Sequence, residues 1–153
     1  MAYDIPVGAR FTRSVTVDAA RAIGFMGPDL RVYATPAIVQ DLEFACRDWL
    51  VKQLDAAHDS VGFLVEIQHK RGTPLGAVVT HDGRVVAVER NRVTFEVVVR
   101  DAIEEIASAR HTRVIVEKAK LAKLIEAKRA RLGRSFDPPL RGSAATIASR
   151  RSQ

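Results

Sequence analysis

A chain of 153 residues with 47% hydrophobic and 27% charged side chains suits one globular domain, or one domain and a tail, and excludes a wholly disordered polypeptide. No run approaches the roughly 18 apolar residues a spanning helix needs, and the lone cysteine, Cys46, excludes an internal disulfide and a cysteine zinc site. The net charge of +6 belongs to one end: residues 1–116 carry 14 Lys and Arg against 15 Asp and Glu, whereas residues 117–153 carry 10 against 3.

A near-neutral body with a basic end reads as a domain followed by a solvated basic segment, and nucleic acid is not the expected partner. Residues 1–12 lack a charged-then-apolar leader pattern, so a cytoplasmic protein without membrane insertion is expected.

In chain order, residues 11–17 alternate apolar or β-branched side chains with polar ones, the pattern of a half-buried first strand. Residues 18–25 suggest a helical turn that leads into a loop at Gly27-Pro28. Thr35-Pro36 then marks a helix start, with Thr35 as N-cap and Pro36 at the first helical position, where its missing N–H is not needed. The helix is expected to reach about Leu54, with Ile38, Leu42, Ala45, Cys46 and Trp49 forming its apolar stripe.

The period then changes to two. Val61, Phe63, Val65, Ile67 and His69 alternate with Gly62, Leu64, Glu66 and Gln68 and predict a two-faced strand. Strands are also expected at 76–80, 84–90, 93–100 and 105–116, separated by turns at 81–83, 90–92 and 101–103. Gaps this short imply hairpins, hence an α+β fold in which one long helix packs on a curved antiparallel sheet. Residues 117–133 read as a basic amphipathic helix, and 134–153, rich in Ser, Ala and Arg, as a disordered tail, which leaves 1–116 as the folded body.

Three side chains draw attention to chemistry. Glu43 lies at the margin of the helix's apolar stripe, where partial burial suits a general base or nucleophile; from the helix alone, an i,i+4 ion pair with Arg47 is the simpler account. His69 ends the apolar face of its strand, a place usually taken by a satisfied core histidine. Thr35 is explained by capping alone. The four histidines, His58, His69, His81 and His111, have no metal-ligand spacing, so no metal is expected.

Taken together, these residues carry a resemblance. The stretch 25–46, with Ala-Thr-Pro at 34–36 opening the helix and a glutamate eight residues beyond the threonine, resembles the loop and central helix of the fluoroacetyl-CoA thioesterase-like hotdog-fold family. The strand at 60–69, beginning Ser-Val-Gly and ending in His69, is similar to the family strand that ends in the catalytic histidine. The segments at 73–79, 94–97 and 111–114 also fit, and the resemblance spans residues 6–116.

The resemblance implies a hotdog fold, a homodimer with active sites at its interface, and hydrolysis of a short or medium acyl-CoA by Thr35, Glu43 and His69, with no cofactor beyond the coenzyme A of the substrate. A non-catalytic module that binds acyl-CoA is the alternative. Gly62 is a candidate for presenting a backbone N–H to the oxyanion, since absence of a Cβ admits substrate, or it marks a strand bend. Arg113, then Arg90 and Arg92, are candidates for the phosphates of coenzyme A, or they are solvent-facing strand-end charges. Two departures matter. Residues 101–106 lack the family's turn glycine, and Met26 and Asp29 stand where the fluoroacetyl-specific enzyme is expected to carry a phenylalanine lid, so preference for a fluorinated acyl group does not carry over.

Overall fold

A computed structural model describes residues 3–133; the expected tail at 134–153 lies outside them. Strand β1 (Arg10–Thr16) is followed by a 3-10 turn (Pro28–Leu30), helix α1 (Thr35–Val51), and strands β2 (His58–His69), β3 (Val78–Glu89), β4 (Arg92–Arg100) and β5 (Glu105–Glu117). All strand pairs are antiparallel, in the order β1-β3-β4-β5-β2, so β1 and β2 form the two edges. This is the expected α+β arrangement. Helix α2 (Lys118–Leu132) belongs to a second compact unit; it is basic in its last turn and buries none of its residues.

Binary patterning explains the core. Along β4, Val93, Phe95, Val97 and Val99 are buried while the residues between them are not. From α1, Ile38, Leu42, Cys46 and Leu50 are buried in the same core. Burying each such aliphatic or aromatic side chain stabilises the fold by about 1.5–3 kcal/mol. Phe95 packs edge-on against Phe11 and Trp49 and stacks with His111.

Two departures from the sequence pattern position the functional residues. The expected turn at 81–83 is strand interior: β3 runs unbroken through it, His81 is fully buried, and Gly83 lies directly beneath the Phe11 ring, 2.2 Å from where a Cβ would sit. Glycine is there for a close approach across the pair rather than for a turn. The second departure is a register shift in β2, where Gly62 faces Arg113 and Leu64 faces Thr112, leaving Phe63 as an extra residue. A bulge reverses the phase of alternation. Val61 and Phe63, expected on the inner face with His69, are instead 40% and 56% exposed, and Ser60 and Gly62 join Val65, Ile67 and His69 on the side of the helix.

Candidate active site

Glu43 projects from the third turn of α1 with its side chain 40% exposed. Its Oε2 lies 3.5 Å from where a Cβ on Gly62 would be, so nothing but backbone separates the carboxylate from the open edge of β2. The alternative pairing with Arg47 is not made; Arg47 binds Asp59 and Asp48. Glu43 faces Arg113 instead, with Oε2 3.8 Å from Nη1.

Arg113 is not a solvent-facing strand-end charge. It is 5% exposed, and Nε donates to the Ser60 hydroxyl at 2.7 Å while Nη2 donates to the Ser60 carbonyl at 2.8 Å. Burial holds its pKa below the usual arginine value, opposed by the nearby Glu43 charge. Its Nη1 faces Glu43 across the cleft. Cys46 lies close by, but burial pushes its thiol up to about 12, which removes it as a nucleophile. A cleft of 390 Å³ opens here, lined by Gln40, Glu43, Phe44, Ser60 and Arg113 among others.

The backbone of β2 bears on Gly62. The Lys118 N–H donates to the Ala57 carbonyl, and alternation along an antiparallel ladder from that bond turns the Gly62 N–H away from β5. A donor that points off an unpaired sheet edge is free for a ligand.

Thr35 and His69 lie at the other end of β2. The helix begins at Thr35 itself, the capping position falls on Ala34, and no side chain caps it. The expectation of Thr35 as N-cap is therefore corrected. Its hydroxyl shares a 2.7 Å hydrogen bond with His69 Nδ1, because the first-turn direction of α1 aims it at the strand. His69 Nε2 is buried yet has no partner among the described residues. Eight residues of helix, about 12 Å of rise, separate Thr35 from Glu43, so the three expected residues do not meet in a single site within one chain.

Arg90 and Arg92 remain exposed at the β3–β4 turn, where Arg90 takes the left-handed conformation with φ 56°. The Arg92 guanidinium lies 4.3 Å over the Phe63 ring, next to the bulge. Among the described residues no group of His, Cys, Asp and Glu is arranged to hold a metal ion.

Sequence reasoning gave no role to Ser60, His111 or Asp41. Ser60 and His111 hold Arg113. Asp41 is buried on α1 and accepts from Arg21 at 2.9 and 3.0 Å and from the Tyr33 hydroxyl, which also meets His81 Nε2 at 3.1 Å. The available signal was phase, since His111, Arg113 and Asp41 all fall on apolar faces of their elements.

The chain is similar to known thioesterases in sequence and fold. A family model described as fluoroacetyl-CoA-specific thioesterase matches residues 16–119. The fluoroacetyl-CoA thioesterase of Streptantibioticus cattleyicolor is 28% identical over 117 residues, covering 72% of this chain and 84% of that protein. A solved structure of a fluoroacetyl-CoA thioesterase superposes with TM-score 0.73 at 27% identity, over 81% of this chain and 97% of its own. A thioesterase superfamily member from Thermus thermophilus gives TM-score 0.77 at 27% identity over 84% and 96%. A hot-dog-like protein from Thermanaerovibrio acidaminovorans shares the fold, with TM-score 0.75 at 24% identity over 80% and 92%.

Proposed function

Since the chain belongs to the fluoroacetyl-CoA-specific thioesterase family and is a thioester hydrolase acting on acyl-CoA, we propose that it releases a short or medium acyl group as the free acid from a site shared between two copies. Glu43 removes a proton from the water that attacks the thioester carbonyl, or attacks the carbonyl itself to form an anhydride that water then cleaves to the acid. The Gly62 N–H receives the oxyanion, and His69, held by Thr35, gives a proton to the departing coenzyme A sulfur, the proton being replaced from the water consumed. Arg113 keeps a positive charge beside Glu43. Arg92 and Arg90 are the cations left for the phosphates of coenzyme A. Such a substrate fits a cytoplasmic place of action and calls for no further cofactor.

The single observation that carries this reading is the separation of Glu43 and Gly62 from Thr35 and His69 along an edge strand, with the His69 Nε2 left without a partner among the described residues. Two copies adding antiparallel through β2, about an axis at Glu66 and with Phe63 bulged out of the ladder, set Gly62 of one opposite His69 of the other. Each half site then meets its complement, and the exposed edge is covered.

Mixing tests it. The protein is assayed on a panel of acyl-CoA thioesters by release of free thiol, and Glu43→Ala and His69→Ala are assayed alone and after co-refolding. Each alone is expected to be inactive. A mixed dimer keeps one intact site, so the mixture recovers about a quarter of wild-type activity by random pairing. No turnover by wild type on the whole panel counts against the enzyme, and no recovery on mixing counts against the shared site.

A further inference from the structure

Resting on that reading, we infer that His111 is a positioning residue which holds the Arg113 guanidinium off Glu43, so that the carboxylate keeps an oxygen free for the thioester.

His111 is fully buried on β5, stacked against Phe95, with rings 6.5 Å apart and 27° between planes. It contacts two groups that fix its state. Nδ1 lies 2.8 Å from the Leu64 carbonyl, which can only accept, so Nδ1 carries the hydrogen. Nε2 lies 3.2 Å from Arg113 Nη1, which can only donate, so Nε2 offers its lone pair. His111 is therefore neutral in one defined tautomer, and burial, aided by the adjacent guanidinium, keeps its pKa below the ordinary histidine value.

Each of those contacts constrains the Glu43 half of the site. Leu64 is the first paired residue after the Phe63 bulge, so the Nδ1 bond fastens the strand at the point that sets the Gly62 backbone. Nε2 competes with Glu43 for Nη1. An arginine and a carboxylate left to themselves close to a two-bond pair with nitrogen–oxygen distances of about 2.7–2.9 Å. Here Nε and Nη2 are held by Ser60, Nη1 is held by His111, and the distance to Glu43 Oε2 stays at 3.8 Å. The cation is near enough to stabilise charge but makes no hydrogen bond that would blunt the carboxylate as a nucleophile or base. Three buried side chains, Ser60, His111 and Arg113, thus form a relay ending at the partly exposed Glu43, and none but Glu43 need touch the substrate.

Three substitutions separate this role from packing. His111→Leu removes both contacts; His111→Gln keeps an acceptor near the position of Nε2; His111→Asn keeps a donor near the position of Nδ1. We expect kcat on the best acyl-CoA to fall about 10- to 100-fold in His111→Leu, a loss of the size that small misplacement of a reacting group produces. KM should stay within about threefold of wild type, because His111 does not contact substrate. His111→Gln should recover kcat to within about threefold of wild type while His111→Asn does not. Melting temperature is followed for all three. Equal losses of kcat in Gln and Leu, or recovery by Asn in place of Gln, would overturn the inference in favour of a role in packing or in the bulge alone. Unchanged kcat in His111→Leu, with Glu43→Gln inactive, overturns it and leaves the enzyme reading standing. Absence of turnover in wild type overturns both.

Discussion

The Thr35 hydroxyl and His69 Nδ1 lie 2.7 Å apart, and this contact directs to the strand a side chain that sequence pattern assigns to capping the helix. The two roles have opposite consequences under substitution. A true N-cap lost to a non-capping residue costs about 0.5–2 kcal/mol of stability. Because no cap is made here, Thr35→Val should change stability by less than about 0.5 kcal/mol while lowering kcat about 10- to 100-fold, since His69 loses the group that orients its ring. Thr35→Ser should retain most activity. Chemical denaturation and steady-state kinetics of the pair decide the matter, and a destabilised Thr35→Val with normal kcat would restore the capping role.

Two glycines of the sheet should respond in opposite ways to the same change. At Gly62 an added methyl meets Glu43 Oε2 at 3.5 Å, an ordinary contact, so Gly62→Ala should leave stability unchanged or raise it by about 0.4–1 kcal/mol through the unfolded chain. Its kcat should nevertheless fall at least tenfold, because the methyl occupies the approach to the carboxylate. At Gly83 the methyl would lie 2.2 Å from the Phe11 ring, which is itself stacked on Trp49. Gly83→Ala should therefore lower stability by about 1–3 kcal/mol, the usual cost of overpacking, with kcat little changed once folded. Thermal melts and kinetics of the two variants give a crossed pattern, and matching behaviour would refute both assignments.

The proposed pairing through β2 would make the edge strand a control point for activity. Phe63 is exposed on that strand, and Arg92 lies over its ring. Phe63→Lys sets a second cation against Arg92 and removes apolar surface, and it should shift the protein to monomers in sedimentation at micromolar concentration. Because a monomer would lack the partner's His69, turnover should fall in step with dissociation and recover at high protein concentration. A monomeric variant with full turnover would show that the site is complete in one chain.

Much of this arrangement is legible in the sequence, and the parts that are not share a cause. Helix α1 and the antiparallel strands followed from periodicity because each has one apolar face. The bulge at Phe63 left no such trace: Val61, Phe63, Val65, Ile67 and His69 read as one continuous face, and only the extra residue in β2 puts Gly62 on the same side as His69. Likewise His81-Asp82-Gly83 carries turn residues, yet tertiary packing overrides them, since Phe11 needs the space above Gly83 and His81 finds a partner in Tyr33. Arg113 looked like a surface charge because its satisfaction comes from Ser60 and His111, which lie 53 and 2 residues away. Local pattern reports which face is apolar; it does not report a polar residue that another element neutralises.

His81 supplies a pH dependence whose sign can be worked out from its contacts. The Tyr33 hydroxyl has one hydrogen and donates it to Asp41, a carboxylate paired with Arg21, so His81 Nε2 must be the donor to the Tyr33 oxygen. That leaves Nδ1 as a bare acceptor, buried and without a partner among the described residues. Protonating it would create a charge in a place with nothing to receive it. Burial accordingly lowers the pKa from 6.5 to about 4 in the folded protein. A depressed histidine binds its proton more weakly folded than unfolded, so it does not affect stability above about pH 6.5 and destabilises progressively as pH falls from 6.5 to about 4. The loss reaches about 3 kcal/mol at the lower limit. Below that range the ion-paired carboxylates Asp48, Asp59 and Glu105, whose pKa values are held down by Arg13, Arg47 and Lys70 respectively, add their own losses. His81→Gln can still donate to Tyr33 but cannot titrate, so its unfolding free energy between pH 6.5 and 4 should fall less steeply than that of wild type. Some slope will remain from His111, which burial depresses in the same direction. Urea unfolding at half-unit steps of pH measures both curves, and parallel slopes for wild type and His81→Gln would remove His81 as their source.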